Sequence, residues 1–275
     1  MSNDIHIKKG LDIKLFGEAE KTVEQAIISN YCTIRPEDFH GVIPKLVAKE
    51  GTSVKAGSTL FFNKSQEAVK LVRGPKRRID AIKIEADKTQ IFEDFGKFDI
   101  DASKPEDIKA HLLASGCWPF VKQRPYDVIA NPEKSPKALF ISGYASAPLA
   151  ADLDFTLQGK EAELQAAVSA LLKLTEGNVH VSVGKNGNSP LAGLDGVTLH
   201  KVSGPHPSGN VGTQINKIDP VNKGEVVWTV SPQDLVIIGE LLLTGKFNAE
   251  RIVALVGSSV EKPRYFKTLA KICRW

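Results

Sequence analysis

The sequence has few cysteines and no long apolar run. Its three cysteines, Cys32, Cys117 and Cys273, lie far apart, which excludes a C-x-x-C pair and the four-thiolate spacing of a zinc or iron–sulfur site. Such a sparse, odd count is typical of a reducing compartment. The longest nearly apolar stretch, residues 235–245, contains Glu240 and is about half of the ~20 residues that a membrane-spanning helix needs. We therefore expect no transmembrane segment.

A secretory signal and a strong charge bias are also lacking. The opening MSNDIHIKKG has no apolar segment after its charges, so we expect the protein to stay in the cytoplasm. A net charge of +4, evenly spread, does not indicate nucleic-acid binding. The one basic cluster, RGPKRR at 73–78, could contact a phosphate or an acidic partner, or be a solvated turn.

What is present is typical of a folded globular protein. Hydrophobic residues make up 42% and charged residues 25% of the chain, which excludes disorder, collagen and coiled coil. With 275 residues, the chain has room for two domains.

The first third of the chain predicts short strands joined by tight turns. Within residues 42–62, Gly51 and Gly57 separate short apolar segments, and the spacing K-E-G-x-x-V-x-x-G-x-x-L resembles the barrel-sandwich hybrid of biotinyl and lipoyl domains. The modified-lysine motif of those carriers is absent at residues 63–67, so we expect a structural module. The turn that should follow Val72 is missing, which a deletion or an omitted loop would explain equally.

From about residue 91 the pattern alternates strands with helices. S-K-P-E at 103–106 has the form of a capping box that opens a helix ending at Gly116, and Ser231 precedes a second helix that runs to about Thr244. A third helix is predicted at 160–176, with Gly177 as its stop. Strand patterns lie at residues 138–143, 179–183, 197–202, 226–230 and 252–257. This alternation predicts an irregular, Rossmann-like α/β domain with a mostly parallel sheet.

The densest glycine-rich loop is residues 203–215, SGPHPSGNVGTQI, after the third strand of that sheet. Backbone amides in such a loop can approach a phosphate or a flat ring. The G-x-G-x-x-G and Walker spacings are absent, so dinucleotide binding is only weakly supported. A histidine between two prolines is a turn residue or, less often, a general base. The candidate contacts are His206, Ser208, Gly209, Gly212 and Thr213.

A second candidate is CWPFVKQRPYD at residues 117–127, which groups Trp118, Phe120, Arg124 and Tyr126. Aromatic residues with an arginine can form a flat-ring site or a protein interface, or they can pack as core at the end of the sheet. No Ser-His-Asp set and no pair of carboxylates at a recognisable spacing stands out. The residues by themselves therefore predict no catalytic group and no metal site.

Seven segments in order resemble the NqrA family, the A subunits of Na⁺-translocating NADH:quinone oxidoreductases. They are 7–13 (IKKGLDI), 46–62, 118–127, 203–213, 219–223 (DPVNK), 227–245 and 251–257 (RIVALVG), and they cover nearly the whole chain. The resemblance implies a peripheral protein on the cytoplasmic face of a six-subunit membrane complex, accessory to its quinone-reduction step. Its implied partners are the membrane subunits, especially the quinone-proximal one, and ubiquinone.

The resemblance also implies where the redox cofactors belong. The complex passes electrons from NADH through FAD, FMN, riboflavin and an iron–sulfur centre to ubiquinone and exports Na⁺, with those cofactors on other subunits. The fold is related to the flavin-binding component of respiratory complex I and to the electron-transfer C component of the Rnf complex. Those relatives have a G-G-A-x-F-P-T flavin loop where this chain has CWPF at 117–120, which implies that this chain binds no flavin itself.

Two functions remain open at this point. One is a non-redox subunit with Trp118, Phe120, Arg124 and the 204–213 loop near a partner or a quinone headgroup. The other is an independent flavin- or nucleotide-binding oxidoreductase.

We predict an N-terminal segment with the hybrid module at 1–90, the α/β domain at 91–257, and at 258–275 the start of a β-grasp-like domain. Family members continue past this point, so Trp275 is not expected to be the natural end.

Overall fold

A computed structural model describes residues 3–15, 17–27, 29–39, 42–63, 79–86 and 90–269. The turn expected after Val72, the basic cluster at 73–78, Cys273 and Trp275 lie outside the described residues. Within them the elements are, in chain order, β1 (Asn3–His6), β2 (Glu20–Gln25), β3 (Tyr31–Ile34), β4 (Pro44–Leu46), β5 (Phe61–Asn63), β6 (Ile82–Glu85), α1 (Pro105–Ala114), β7 (Lys122–Arg124), β8 (Val128–Ile129), β9 (Leu139–Ser142), α2 (Leu153–Thr156), α3 (Glu161–Leu172), β10 (Val179–Gly184), β11 (Thr198–Ser203), α4 (Val211–Ile218), β12 (Val227–Thr229), α5 (Pro232–Thr244), β13 (Glu250–Leu255) and β14 (Arg264–Leu269).

A seven-stranded sheet forms the centre of the structure, in the order β1-β11-β10-β9-β12-β7-β8. The first five strands in that order pair in parallel, whereas β7 pairs antiparallel with both β12 and β8. The predicted α/β class is confirmed, and the sheet is mixed with a parallel centre. The edge strand β1 comes from the start of the chain, so the N-terminal segment contributes directly to this sheet.

Helices cover the two faces of the sheet unequally. α3 and α5 pack against one face, where Leu139, Ile141, Val181 and Trp228 are fully buried. The opposite face is packed by α4, whose Ile215 belongs to one buried cluster with Ala138, Phe140 and Val227. Because β9 is covered on both faces, its sequence is almost continuously apolar. β10 is equally buried, but its valines alternate with His180 and Ser182.

The predicted helices form, with one different end and one different cap. Lys104, not Ser103, is the N-cap of α1, because its N–H donates to the Asp107 carboxylate at 3.0 Å. In α5 the Ser231 hydroxyl accepts from the Asp234 N–H as expected. α3 ends at Leu172, before the predicted stop at Gly177. Gly177 serves another purpose, since a Cβ there would lie 1.9 Å from the Lys137 carbonyl oxygen.

The strand predicted at 252–257 does not join the central sheet, and that part of the prediction is wrong. It is β13, which pairs antiparallel with β14, and β14 pairs in parallel with β2. Val253 and Leu255 alternate with less exposed residues along β13 and face outward. A strand of the central sheet would be buried on both faces, so this exposure pattern is typical of a sheet covered on one face only.

The remaining N-terminal strands form two short antiparallel pairs, β3 with β6 and β4 with β5. Gly51 and Gly57 between β4 and β5 have φ of +80° and +99°. Both tight turns predicted from these glycines are therefore present, because this backbone conformation favours glycine.

Candidate functional site

A cavity of about 330 Å³ lies at the carboxyl edge of the parallel strands. Residues 143–145 after β9, 184–187 after β10 and Ser203 at the end of β11 form three of its sides, and residues 150–154 close the fourth. Strand order changes direction at β9, because β10 and β11 lie on one side of it and β12 on the other. Ligands of open α/β sheets bind outside the carboxyl ends of the strands at such a point.

Glycines shape the walls of this cavity. The Tyr144 ring lies against Gly184, where a Cβ would approach it to 3.2 Å, and the tyrosine hydroxyl donates to the Gly204 carbonyl at 3.4 Å. A Cβ at Gly187 would lie 2.4 Å from the Asp154 carboxylate. Sequence reasoning missed this site, although the glycines that follow two buried strands were a visible signal.

Two ion pairs neutralise part of the cavity's charge. Asp152 pairs with Lys21 at 2.5 Å, and Lys185 pairs with Asp4 at 3.1 Å. Burial favours a higher pKa for Asp152, but the hydrogen bond from Lys21, the backbone N–H groups of Phe155 and Asp154 and the Lys21 charge together outweigh it, and the pKa is lowered. No basic residue in the described part of the chain pairs with Asp154. The cavity thus carries one carboxylate without an ion-pair partner there.

The glycine-rich loop lies beside this cavity and is held by side chains from the β9 loop. The Ser146 hydroxyl accepts from the Gly209 N–H at 2.7 Å and lies 3.0 Å from His206 Nδ1. The His206 N–H donates to Asp12 at 2.9 Å, and the Ser208 hydroxyl donates to the Gly204 carbonyl. These contacts match the interpretation of His206 as a turn residue.

Close packing explains two of the loop's three glycines. A Cβ would lie 2.1 Å from the Ile7 carbonyl oxygen at Gly204 and 2.3 Å from the Ser146 nitrogen at Gly209, whereas the position of Gly212 is open. Gly212 and Thr213 belong to the first turn of α4, with Gly212 exposed and Thr213 half-buried.

The 117–127 segment divides into a buried half and an exposed half. The Trp118 indole donates to the Ala130 carbonyl at 2.7 Å, and its ring packs edge-on against Trp228. Phe120 stacks on Phe247 at 6.2 Å between ring centres. These aromatic residues are core, so a ligand or partner would meet Tyr126, which is 79% exposed.

The structure does not bring the two predicted segments together. β7 runs opposite to β12, so the turn containing Arg124 and Tyr126 lies at the amino edge of the parallel strands, and the 204–210 loop lies at the carboxyl edge. Three strands also separate β7 from β11, which is about 19 Å at roughly 4.8 Å per strand. One small ligand cannot contact both.

A buried histidine pair bridges β10 and β11 on the face covered by α4. His180 Nδ1 lies 3.0 Å from His200 Nε2, and both residues are almost fully buried. Burial, with a smaller contribution from His200, lowers the pKa of His180 to about 4, and burial lowers the pKa of His200. Both rings are therefore neutral at neutral pH.

Acid should destabilise the fold through this pair. The pKa of His180 in the folded state is below the ordinary value of 6.5, so the unfolded state binds the proton first as pH falls. Stability from this group is complete above about pH 6.5 and is lost towards pH 4, by about 3 kcal/mol. Urea unfolding at pH 7 and pH 4 should show a smaller loss in His180→Asn than in the parent. Equal losses would contradict this origin.

Among the residues described, no three or more His, Cys, Asp or Glu side chains gather as a metal site would require. No helix in that part of the chain has the length and hydrophobicity needed to span a membrane.

Comparison with known proteins gives two consecutive family matches. Residues 5–87 match the model described as the NqrA N-terminal barrel-sandwich hybrid domain, and residues 103–247 match the NqrA second alpha/beta domain. The first match agrees with the hybrid module predicted from the glycine spacing.

Curated relatives match along almost the whole chain. A protein of Pseudomonas aeruginosa PAO1, named as the A subunit of Na(+)-translocating NADH-quinone reductase, is 33% identical over 96% of this chain. Proteins of the same name from Photorhabdus laumondii and Neisseria meningitidis serogroup A are 33% and 31% identical over the same share. The chain spans 62% of the length of each of these relatives.

Proposed function

Because this chain belongs to the NqrA family, we propose that it acts as the peripheral NqrA component of a Na⁺-pumping NADH:ubiquinone reductase, on the cytoplasmic face of the membrane. In this role it docks on the membrane subunits and assists the quinone-reduction step. The observation that carries the proposal is the similarity to NqrA relatives over 96% of the chain. The finer fold assignments, a Rossmann-like α/β domain and a β-grasp-like region that starts at residue 258, are part of the same proposal.

We propose further that the chain carries no redox cofactor of its own, and that FAD, FMN, riboflavin and the iron–sulfur centre belong to other subunits. Residues 117–120, at the place of the flavin loop in the related folds, support this. Cys117 and Trp118 are buried there against the core, and burial raises the pKa of the Cys117 thiol. A segment packed in this way offers no open loop to a flavin.

Exposed apolar side chains offer a surface for docking. Leu11, Ile13 and Leu15 are each more than half exposed, and Val253 and Leu255 project from the outer side of β13. Ile13 and Leu15 line a shallow cleft together with Ala254 and Val256. These two residues alternate with Val253 and Leu255, so the two exposed apolar groups lie on opposite faces of the strand. Neighbouring exposed apolar side chains are typical of surfaces that contact another protein.

Co-purification of the complex tests the docking role. Val253→Glu with Leu255→Glu places two charges on the proposed contact surface, and we expect this chain to be lost from complexes isolated through a tagged membrane subunit. Leu243→Glu is the matched control, because Leu243 on α5 is 41% exposed and lies outside that surface. Full retention of the doubly charged variant would contradict docking through β13.

Quinone contact is tested by labelling of the assembled complex. A photoreactive ubiquinone analogue should label a peptide within 117–127 or 203–215. We expect Tyr126 in the first or residues 212–213 in the second, because these are accessible whereas Trp118 is not. Labelling confined to membrane subunits would remove quinone from the role of this chain.

The alternative, an independent flavin- or nucleotide-binding oxidoreductase, is favoured by one observation, the cavity at the carboxyl edge of the sheet. Flavin absorbance in the purified protein, or NADH-dependent turnover by the isolated chain, would support this alternative and contradict the non-redox role. A colourless, inactive chain that still enters the complex would support the first proposal.

A further inference from the structure

The cavity beyond β9, β10 and β11 has the dimensions of a small-molecule site and is not used by the proposed docking role. Its volume of about 330 Å³ falls at the lower end of the roughly 300–1,000 Å³ that ligand pockets enclose. It lies at the position where open parallel sheets bind ligands.

The residues that line the cavity determine which chemical groups a ligand must have to bind there. Tyr144 supplies an aromatic ring to the lining. The glycines at 184 and 187 let the Tyr144 ring and the Asp154 carboxylate pack close to the backbone. Asp154 supplies carboxylate oxygens, which only accept hydrogen bonds. Asn186 adds an amide that both donates and accepts. The ligand must therefore combine a flat ring with hydroxyl or N–H donors.

The charges argue against a phosphate at this position. Lys185 is held by Asp4 and Lys21 by Asp152, so both lysines near the cavity already contact a carboxylate. A phosphate placed here would face Asp154, and like charges repel. A ribose diol, in contrast, donates two hydrogen bonds that a carboxylate can accept, as acidic residues do in dinucleotide folds.

We propose that this cavity binds a nucleoside, with the base against Tyr144 and the ribose hydroxyls donating to the Asp154 carboxylate. Gly187 allows this arrangement, because a Cβ there would collide with the Asp154 carboxylate and displace it. Any phosphate of a larger nucleotide would project away from the cavity. The proposal does not depend on the docking role, since no residue of β13 lines this cavity.

Calorimetric titration of the 275-residue chain with adenosine tests the proposal. We expect saturable binding, weakened about tenfold or more by Asp154→Asn, because a charged hydrogen-bond acceptor is lost. The matched control is Asp195→Asn, which removes an exposed carboxylate in the turn before β11, at the other edge of the sheet. The control should bind adenosine as the parent does.

A second comparison needs no variant, so a folding defect cannot hide the result. In the parent chain, 2′-deoxyadenosine and 3′-deoxyadenosine should each bind about tenfold more weakly than adenosine, and AMP should bind no more tightly. Failure of adenosine to bind, equal binding of the deoxynucleosides, or AMP binding about tenfold more tightly would overturn the proposal. None of these results would alter co-purification with the membrane subunits, so the two proposals fail separately.

Discussion

Gly239→Ala should destabilise the protein by about 3 kcal/mol or more, because α3 and α5 cross with almost no space between their backbones. A Cβ at Gly239 would lie 1.8 Å from the carbonyl oxygen of Glu163. A backbone oxygen within a helix cannot rotate away, so the helices must separate and the buried residues between them lose contact. Urea unfolding followed by circular dichroism measures the loss.

Gly212→Ala is the matched control for this substitution. Gly212 is also helical, but it is exposed, and no atom lies within 4 Å of the position of its Cβ. Alanine is the better helix former by about 1 kcal/mol, so this variant should equal the parent or exceed it in stability. If the two glycine variants were equally stable, the close helix crossing would not be the constraint that we describe.

Arg251→Met should cost about 3 kcal/mol, because it leaves a buried carboxylate without its guanidinium. Asp234 in α5 is 1% exposed and pairs with Arg251 on β13. The pair ties the small sheet to α5, alongside two hydrogen bonds between Gln233 and the backbone of Ile252. Removing one partner of a buried pair is costly, since the remaining charge is no longer compensated.

Two further variants separate charge burial from lost packing at this site. Lys267→Met breaks the exposed pair between Lys267 and Glu250 on the same sheet and should cost less than about 1 kcal/mol. Adding Asp234→Asn to Arg251→Met should recover part of the loss, because the buried group is then uncharged. A double variant that recovers no stability would show that the loss comes from contacts of Arg251 missing in both variants, such as its position over Phe120, 5.7 Å from the ring centre, and not from the uncompensated Asp234 charge.

Local sequence signals predicted where helices and strands occur better than they predicted which strands pair with each other. Ser231 before Pro232 correctly indicated the start of α5, because capping depends only on residues within one turn. The apolar run of β13 correctly indicated a strand but not its sheet. Pairing depends on distant segments, here β2 near the N-terminus and β14, and an apolar run does not identify them.

For the candidate site, too, the sequence identified an unusual segment but not which residues come together. The sequence indicated that the 203–215 loop was unusual, and the structure places it beside the cavity with Ser146 and His206 in contact. For the aromatic segment the sequence left a site, an interface and core packing open, and Trp118 and Phe120 are core. Residue type cannot distinguish a buried ring from one that awaits a ligand, because both are apolar and rigid.

The sequence by itself determined the family, the α/β class, the hybrid module and the approximate bounds of α1 and α5, since ordered motifs, periodicity and caps are properties of neighbouring residues. It did not indicate α2, nor α4, which begins inside the segment predicted as a loop. The tertiary structure alone decided which segments meet. In the structure Asp154 and Gly187 lie together in one cavity, Tyr126 lies at the amino edge of the sheet, away from that cavity, and β1 pairs with β11. The physical reason is that strand order and direction bring together side chains that are distant in the chain.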